Sequence, residues 1–122
     1  NLEVLSEVIS LDLGENNISD SGLHTLVNSP YIKNLKTLNL KSNNITEEGA
    51  KFIAESSKLK DLEHLILKFN RIGEAGANYL AQSETLTNLR TLDLFRNRIG
   101  DAGVKVIKKS KNFRGVSRMR LD

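Results

Sequence analysis

The side chains with which this chain could do chemistry are few. It has two histidines, His24 and His64, no cysteine, and 15 aspartates and glutamates among 122 residues. A bound zinc needs three or four nitrogen, sulfur or carboxylate ligands converging on one point. His24 and His64 are far apart and have no thiol to join them, so no metal and no cofactor is expected. Nucleophilic catalysis needs a hydroxyl or thiol beside a base that a third group orients. Ser10, Thr37 and Thr91 are hydroxyls without such a companion. His64 and Asp93 are the one acid–base pair worth naming, and a cross-strand hydrogen bond is the expected use of it. The glycines stand singly and never form G-x-x-x-x-G-K-[ST], the loop that cradles a phosphate. The chain is not expected to be an enzyme.

Recognition is the chemistry that the residues do suggest. Ile66, Phe69 and Phe95 occur among Lys68, Arg71, Arg96 and Arg98. Aromatic side chains offer large apolar contacts and arginine a planar charged fork, and both are enriched in protein-binding hot spots. Single exposed apolar residues are ordinary on any surface, so the weight rests on three of them converging. With His64 and Asp93 these residues make the candidate partner-binding set. A second charged feature runs through Lys105, Lys108, Lys109, Lys111, Arg114, Arg118 and Arg120. Such a stretch could attract nucleic acid or another anionic surface. Only Phe113 is interleaved with it, so the stacking set of a nucleic-acid binder is missing. Another protein is the expected partner.

A repeat must position these side chains. Leu35, Leu38, Leu40, Asn43 and Ile45 recur as Leu62, Leu65, Leu67, Asn70 and Ile72, and again as Leu89, Leu92, Leu94, Asn97 and Ile99. A worn copy precedes them at Val8, Leu11, Leu13, Asn16 and Ile18. The start of another follows at Val116, Met119 and Leu121. The copies begin at residues 8, 35, 62, 89 and 116, an unbroken period of 27. A fixed period of this size marks a solenoid.

Each repeat has two halves. Around Thr37–Lys41 apolar and polar residues alternate, which is strand periodicity. Leu38 and Leu40 then face the core, and Thr37, Asn39 and Lys41 face outward. The same count turns His64, Ile66, Lys68, Asp93 and Phe95 outward. From Ile45 the spacing becomes helical. Thr46 offers an N-cap, Glu47 and Glu48 sit where carboxylates favour the helix dipole, and Ala50, Ile53 and Ala54 form an apolar stripe.

Three polar or small columns accompany the leucines. Asn16, Asn43, Asn70 and Asn97 are expected to form a structural ladder, because an amide supplies both donor and acceptor to backbone groups at the turn. Gly22, Gly49, Gly76 and Gly103 recur at the helix starts. Glycine costs about 1 kcal/mol there relative to alanine, so its recurrence predicts close approach of the neighbouring coil. Ser29, Ser56, Ser83 and Ser110 recur near the helix ends and predict a helix-ending hydrogen bond.

The pattern L-x-x-L-x-L-x-x-N-x-I resembles the leucine-rich repeat, over nearly all of the chain. The helical second half resembles the ribonuclease-inhibitor-like subclass, which includes the Ran GTPase-activating proteins and many bacterial repeat proteins. Vertebrate ribonuclease inhibitors alternate two longer repeat types and are rich in cysteine. This chain has one repeat type and no cysteine, so inhibition of ribonucleases is not carried over. The resemblance implies a non-catalytic module that binds a protein through its concave face and adjoining turns. Regulation of a small GTPase, or binding of an acidic surface through the basic C-terminal repeat, is the alternative.

The expected fold is α/β, a right-handed solenoid with a parallel sheet on the concave side and helices on the convex side. Strands stack about 4.8 Å apart whereas helices need about 8–10 Å, so the stack curves with its strands inside. A single domain is expected, with residues 1–7 as the tail of a preceding repeat. Repeats follow at 8–34, 35–61, 62–88 and 89–115, and 116–122 is a terminal strand. A sheet of this size offers on the order of 300 Å², against about 800 Å² per partner in a standard interface. Either the turns contribute or the chain is an excerpt of a longer solenoid, and the incomplete first repeat favours the excerpt. Charge is polarised: residues 1–34 hold five acids and one base, and residues 89–122 hold ten bases and three acids. No apolar stretch approaches the ~18 residues of a membrane span. A cytoplasmic location is expected, or a host cytosol for a secreted bacterial effector.

Overall fold

The computed structural model describes residues 9–30 and 32–122. Val8 and the expected repeat tail at 1–7 lie outside the described residues. Five strands, β1 (Ser10–Asp12), β2 (Thr37–Asn39), β3 (His64–Ile66), β4 (Thr91–Asp93) and β5 (Arg118–Arg120), alternate with four helices. The helices are α1 (Asp20–Val27), α2 (Glu47–Glu55), α3 (Gly73–Ala81) and α4 (Gly100–Lys109). All strands belong to one parallel sheet in chain order. Leu11, Leu38, Leu65, Leu92 and Met119 lie side by side across it. Sequence period and sheet register are therefore one and the same quantity. This is the α/β solenoid that the period predicts.

The strands are short, but the pairing outlasts them. Leu40 N–H donates to Ile66 O at 2.8 Å, Leu67 N–H to Asp93 O at 2.8 Å, and Phe69 N–H to Phe95 O at 2.9 Å. Alternation turns Leu38, Leu65 and Leu92 inward, and two residues later Leu40, Leu67 and Leu94; all six are fully buried. Ile53, Leu80 and Ile107 close the core from the helix side. Leu11 and Met119, in the outer strands, are only partly buried, because each has a described neighbouring strand on one side alone.

Polar side chains stitch one coil to the next. Asn70 Oδ1 accepts from the N–H groups of Asn43 and Ile45, at 2.9 and 3.0 Å. Its amide nitrogen donates to Leu40 O and Leu67 O, at 2.9 and 2.8 Å. Asn43 repeats this arrangement one coil before, and Asn97 one coil after accepts the Ile72 N–H alone, at 3.2 Å, while donating to Leu67 O and Leu94 O. Asn16 differs from its column. It is exposed, and among the described residues its amide nitrogen donates within its own turn, to Gly14 O.

The serine column has a partner that its spacing does not reveal. Ser56, Ser83 and Ser110 donate to Val27 O, Ala54 O and Ala81 O, the last turn of the preceding helix, at 2.6, 2.6 and 2.7 Å. Close approach of the preceding helix explains Gly49 and Gly76. A Cβ on Gly76 would sit 3.2 Å from Ala50 Cβ and 3.3 Å from Glu47 Cα in the preceding helix, and would collide with the Ile72 side chain.

Thr46 caps α2 as expected, accepting from Glu48 N–H at 3.3 Å. A second cap comes from the previous repeat. Asp20 receives both the Thr46 N–H and the Thr46 hydroxyl, at 2.9 and 2.5 Å. Asp20 thus serves the next coil as well as its own helix dipole.

Candidate partner-binding face

The outward column of the sheet begins with Ser10, Thr37, His64, Thr91 and Arg118 in register. The register puts His64 opposite Thr91, and His64 Nδ1 lies 2.9 Å from Thr91 Oγ1. Asp93 stands opposite Ile66 instead, so the expected His64–Asp93 hydrogen bond gives way to one between His64 and Thr91. His24 lies on α1, its ring against Phe52 with centroids 4.3 Å apart.

Asp93 is 7% exposed. Its Oδ1 accepts from Phe95 N–H at 3.1 Å, and its Oδ2 lies 3.9 Å from an Arg120 nitrogen. Asn39 and Asp12, its equivalents two and three repeats back along the column, likewise accept from the N–H two residues ahead. This column turns the chain at the strand end, and Asp93 is occupied by that task. Ile66 is the exception, an apolar residue in a column of turn-makers.

Beyond the strands the backbone enters the left-handed region at the same place in four repeats, at Glu15, Ser42, Phe69 and Arg96, with φ of 61, 57, 61 and 59°. Asn17, Asn44 and Arg98 do so again two residues later, at 55, 58 and 56°. Asparagine tolerates this conformation. Other residues with a Cβ lose about 1–2 kcal/mol in it.

Phe69 and Phe95 meet edge to face, with centroids 5.9 Å apart and planes inclined at 69°. Phe69 remains 45% exposed. Cations sit over both rings. Lys41 Nζ is 5.9 Å from the Phe69 centroid, and the Arg96 and Arg120 guanidinium carbons are 5.3 and 4.6 Å from that of Phe95. A groove of about 700 Å³ runs beside the pair, lined by Asn44, Phe69, Asn70, Arg71, Phe95, Arg96, Arg98 and Asp122.

Five of the candidate residues, Phe69, Arg71, Phe95, Arg96 and Arg98, therefore share one groove. His64, Ile66 and Lys68 are half-buried on β3 and just after it. Asn44, Arg120 and Asp122 belong to the same surface although their residue types alone do not mark them. A period of 27 applied to Arg71 and Phe95 leads to Asn44 and Asp122, so the repeat carries a signal for these two. Arg120 over Phe95 depends on side-chain direction and has none.

Four stretches, residues 8–27, 31–54, 58–81 and 85–108, match the family model described as Leucine Rich repeat. The chain belongs to the leucine-rich-repeat family. The last three matched stretches each take in one strand, its turn and most or all of the following helix. Comparison of the whole chain with curated proteins gives no match. In this leucine-rich-repeat fold, no helix among the described residues is long and apolar enough to cross a membrane. No three histidine or carboxylate side chains among them gather closely enough to hold a metal ion.

Proposed function

We propose that this leucine-rich-repeat chain is a non-catalytic protein-binding module, of the ribonuclease-inhibitor-like type, that holds its partner on the concave face and the adjoining turns. Leucine-rich repeats generally mediate protein–protein interaction, and they are typically not catalytic. The observation that carries the reading here is Phe69. It is an exposed aromatic at a backbone position of φ 61°, edge to face with Phe95 and bordered by Arg71, Arg96 and Arg98. The fold would be as well served there by asparagine or glycine. A bulky apolar side chain at such a place is explained by contact with something else. The turns also widen the contact beyond the narrow sheet, toward the area that a stable interface needs.

The test is affinity capture by the tagged chain, compared with a Phe69→Ala/Phe95→Ala variant whose fold is verified by circular dichroism. Partner binding is expected to weaken at least about tenfold, as for central hot-spot aromatics. A folded variant that binds undiminished would remove this groove from the interface and turn attention to the surface from Lys105 to Arg120.

A further inference from the structure

Resting on that reading, we infer that the segment held in the groove is an acidic peptide carrying one large apolar residue. The apolar side chain lies on Phe69, and the flanking carboxylates lie on Arg71, Arg96 and Arg98. Charge complementarity supplies the argument. Lys41 and Arg120 are engaged, with Glu15 at 3.7 Å and Asp93 at 3.9 Å. Arg71, Arg96 and Arg98 are exposed and take part in no salt bridge among the described residues. Three guanidiniums without a salt-bridge partner among the described residues, facing a single lining carboxylate, Asp122, make a positive rim that favours anionic ligands and steers them in. Their planar forks match carboxylates in pairs.

The turn positions point the same way. In the column Asn17, Asn44, Arg71, Arg98, the first two repeats use asparagine and the next two use arginine. At Arg98 this happens although φ is 56°, where asparagine would be the less strained choice. Arginine replaces asparagine in the two repeats that carry the aromatic pair. A single-stranded nucleic acid is less well matched. It stacks successive bases on open ring faces, whereas Phe95 already carries Arg96 and Arg120 and its ring is tilted 69° from Phe69.

The probes are three short fluorescein-labelled peptides of equal length. One has glutamates and aspartates around a central tryptophan, one replaces the acids by their amides, and one replaces the tryptophan by alanine. Fluorescence anisotropy is read with the native chain, with Arg96→Ala/Arg98→Ala, and with Lys105→Ala/Lys108→Ala/Lys109→Ala as a basic-surface control. The acidic tryptophan peptide should bind at least about tenfold more tightly than the other two, and weaken with added salt. The groove variant should lose about tenfold, and the control variant should keep its affinity. Equal binding of the acidic and amide peptides, still lost in Phe69→Ala, would overturn the acidic specificity and leave the protein-binding reading standing. The acidic specificity falls in the same way if no peptide binds while Phe69→Ala/Phe95→Ala still releases a captured partner. An equal loss in the lysine control would place the contact elsewhere and overturn both. Tighter, Phe69-dependent binding of labelled polyuridylate would overturn the peptide in favour of nucleic acid.

Discussion

The side-chain oxygen of Asn70 accepts the backbone N–H of Asn43 at 2.9 Å, joining two residues that stand 27 apart in the chain. The same oxygen takes the N–H of Ile45, so one amide ties down both ends of the preceding turn. That turn also presents Asn44 to the groove. The ladder under the turns is what holds the candidate binding surface in shape.

Asn70→Ala should therefore cost about 3 kcal/mol or more. Each buried group left without a partner costs about 1–3 kcal/mol, and Asn70 serves two N–H groups and two carbonyls. Asn16→Ala, at an exposed position, should stay within about 0.5 kcal/mol. Urea unfolding of the two variants checks the contrast, and similar losses would contradict the buried ladder.

Leu67→Ala removes a fully buried side chain with coils on both sides, and should cost about 2–5 kcal/mol. Leu121→Ala, beside the last strand and 9% exposed, should cost clearly less, because stability in a solenoid comes from neighbouring interfaces. Denaturant midpoints at constant slope are the measurement.

Two glycines of one column should respond with opposite sign. Gly76→Ala pushes a methyl group into α2 and Ile72 and should destabilise by about 1–3 kcal/mol. At Gly22 the one described atom within reach is Ile18 Cγ2, at 3.4 Å. Gly22→Ala should stabilise by up to about 1 kcal/mol through helix propensity. Thermal unfolding of the pair decides whether packing or backbone freedom keeps the glycines.

Phe69→Asn separates binding from folding. It relieves a left-handed backbone at φ 61° at the cost of the edge contact with Phe95. Stability should stay within about 1 kcal/mol of the native chain, since strain relief of about 1–2 kcal/mol offsets the lost aromatic pair of about 0.5–1.5 kcal/mol. Unfolding of this variant would show that Phe69 belongs to the core and not to a contact surface.

Binding kinetics should divide the groove into two kinds of residue. Phe69→Ala and Phe95→Ala should act mainly by faster dissociation. Arg71→Ala and Arg96→Ala, at the rim, should slow association and flatten its salt dependence. Surface plasmon resonance with the captured partner at two salt concentrations reads both effects. The same rate constant changing in all four variants would refute the division.

What the chain determined by itself is everything that a single repeat operator carries. A period of 27 places Leu38 beside Leu65 and Leu65 beside Leu92, and the two-residue alternation turns them inward together. The recurring glycine announces helix-to-coil contact, met at Gly49 and Gly76. The two-residue alternation sets Phe95 on the outward side, whereas Phe69 shares the phase of Leu65 and Leu67 and is turned out by its left-handed backbone at φ 61°. The tertiary structure decided which side chains meet. His64 meets Thr91 because the register sets them opposite, while the Asp93 carboxylate is drawn to its own turn and to Arg120. Ser83 reaches Ala54 O, and Asp20 reaches Thr46. The physical reason is the difference between backbone and side chain. Stacking repeats the Cα positions at a constant step, so backbone placement follows from spacing. Rotamers depend on the local contents of each repeat, which change from Ser42 to Phe69 to Arg96, so the edge-to-face aromatics and their arginine rim follow only from the packed molecule.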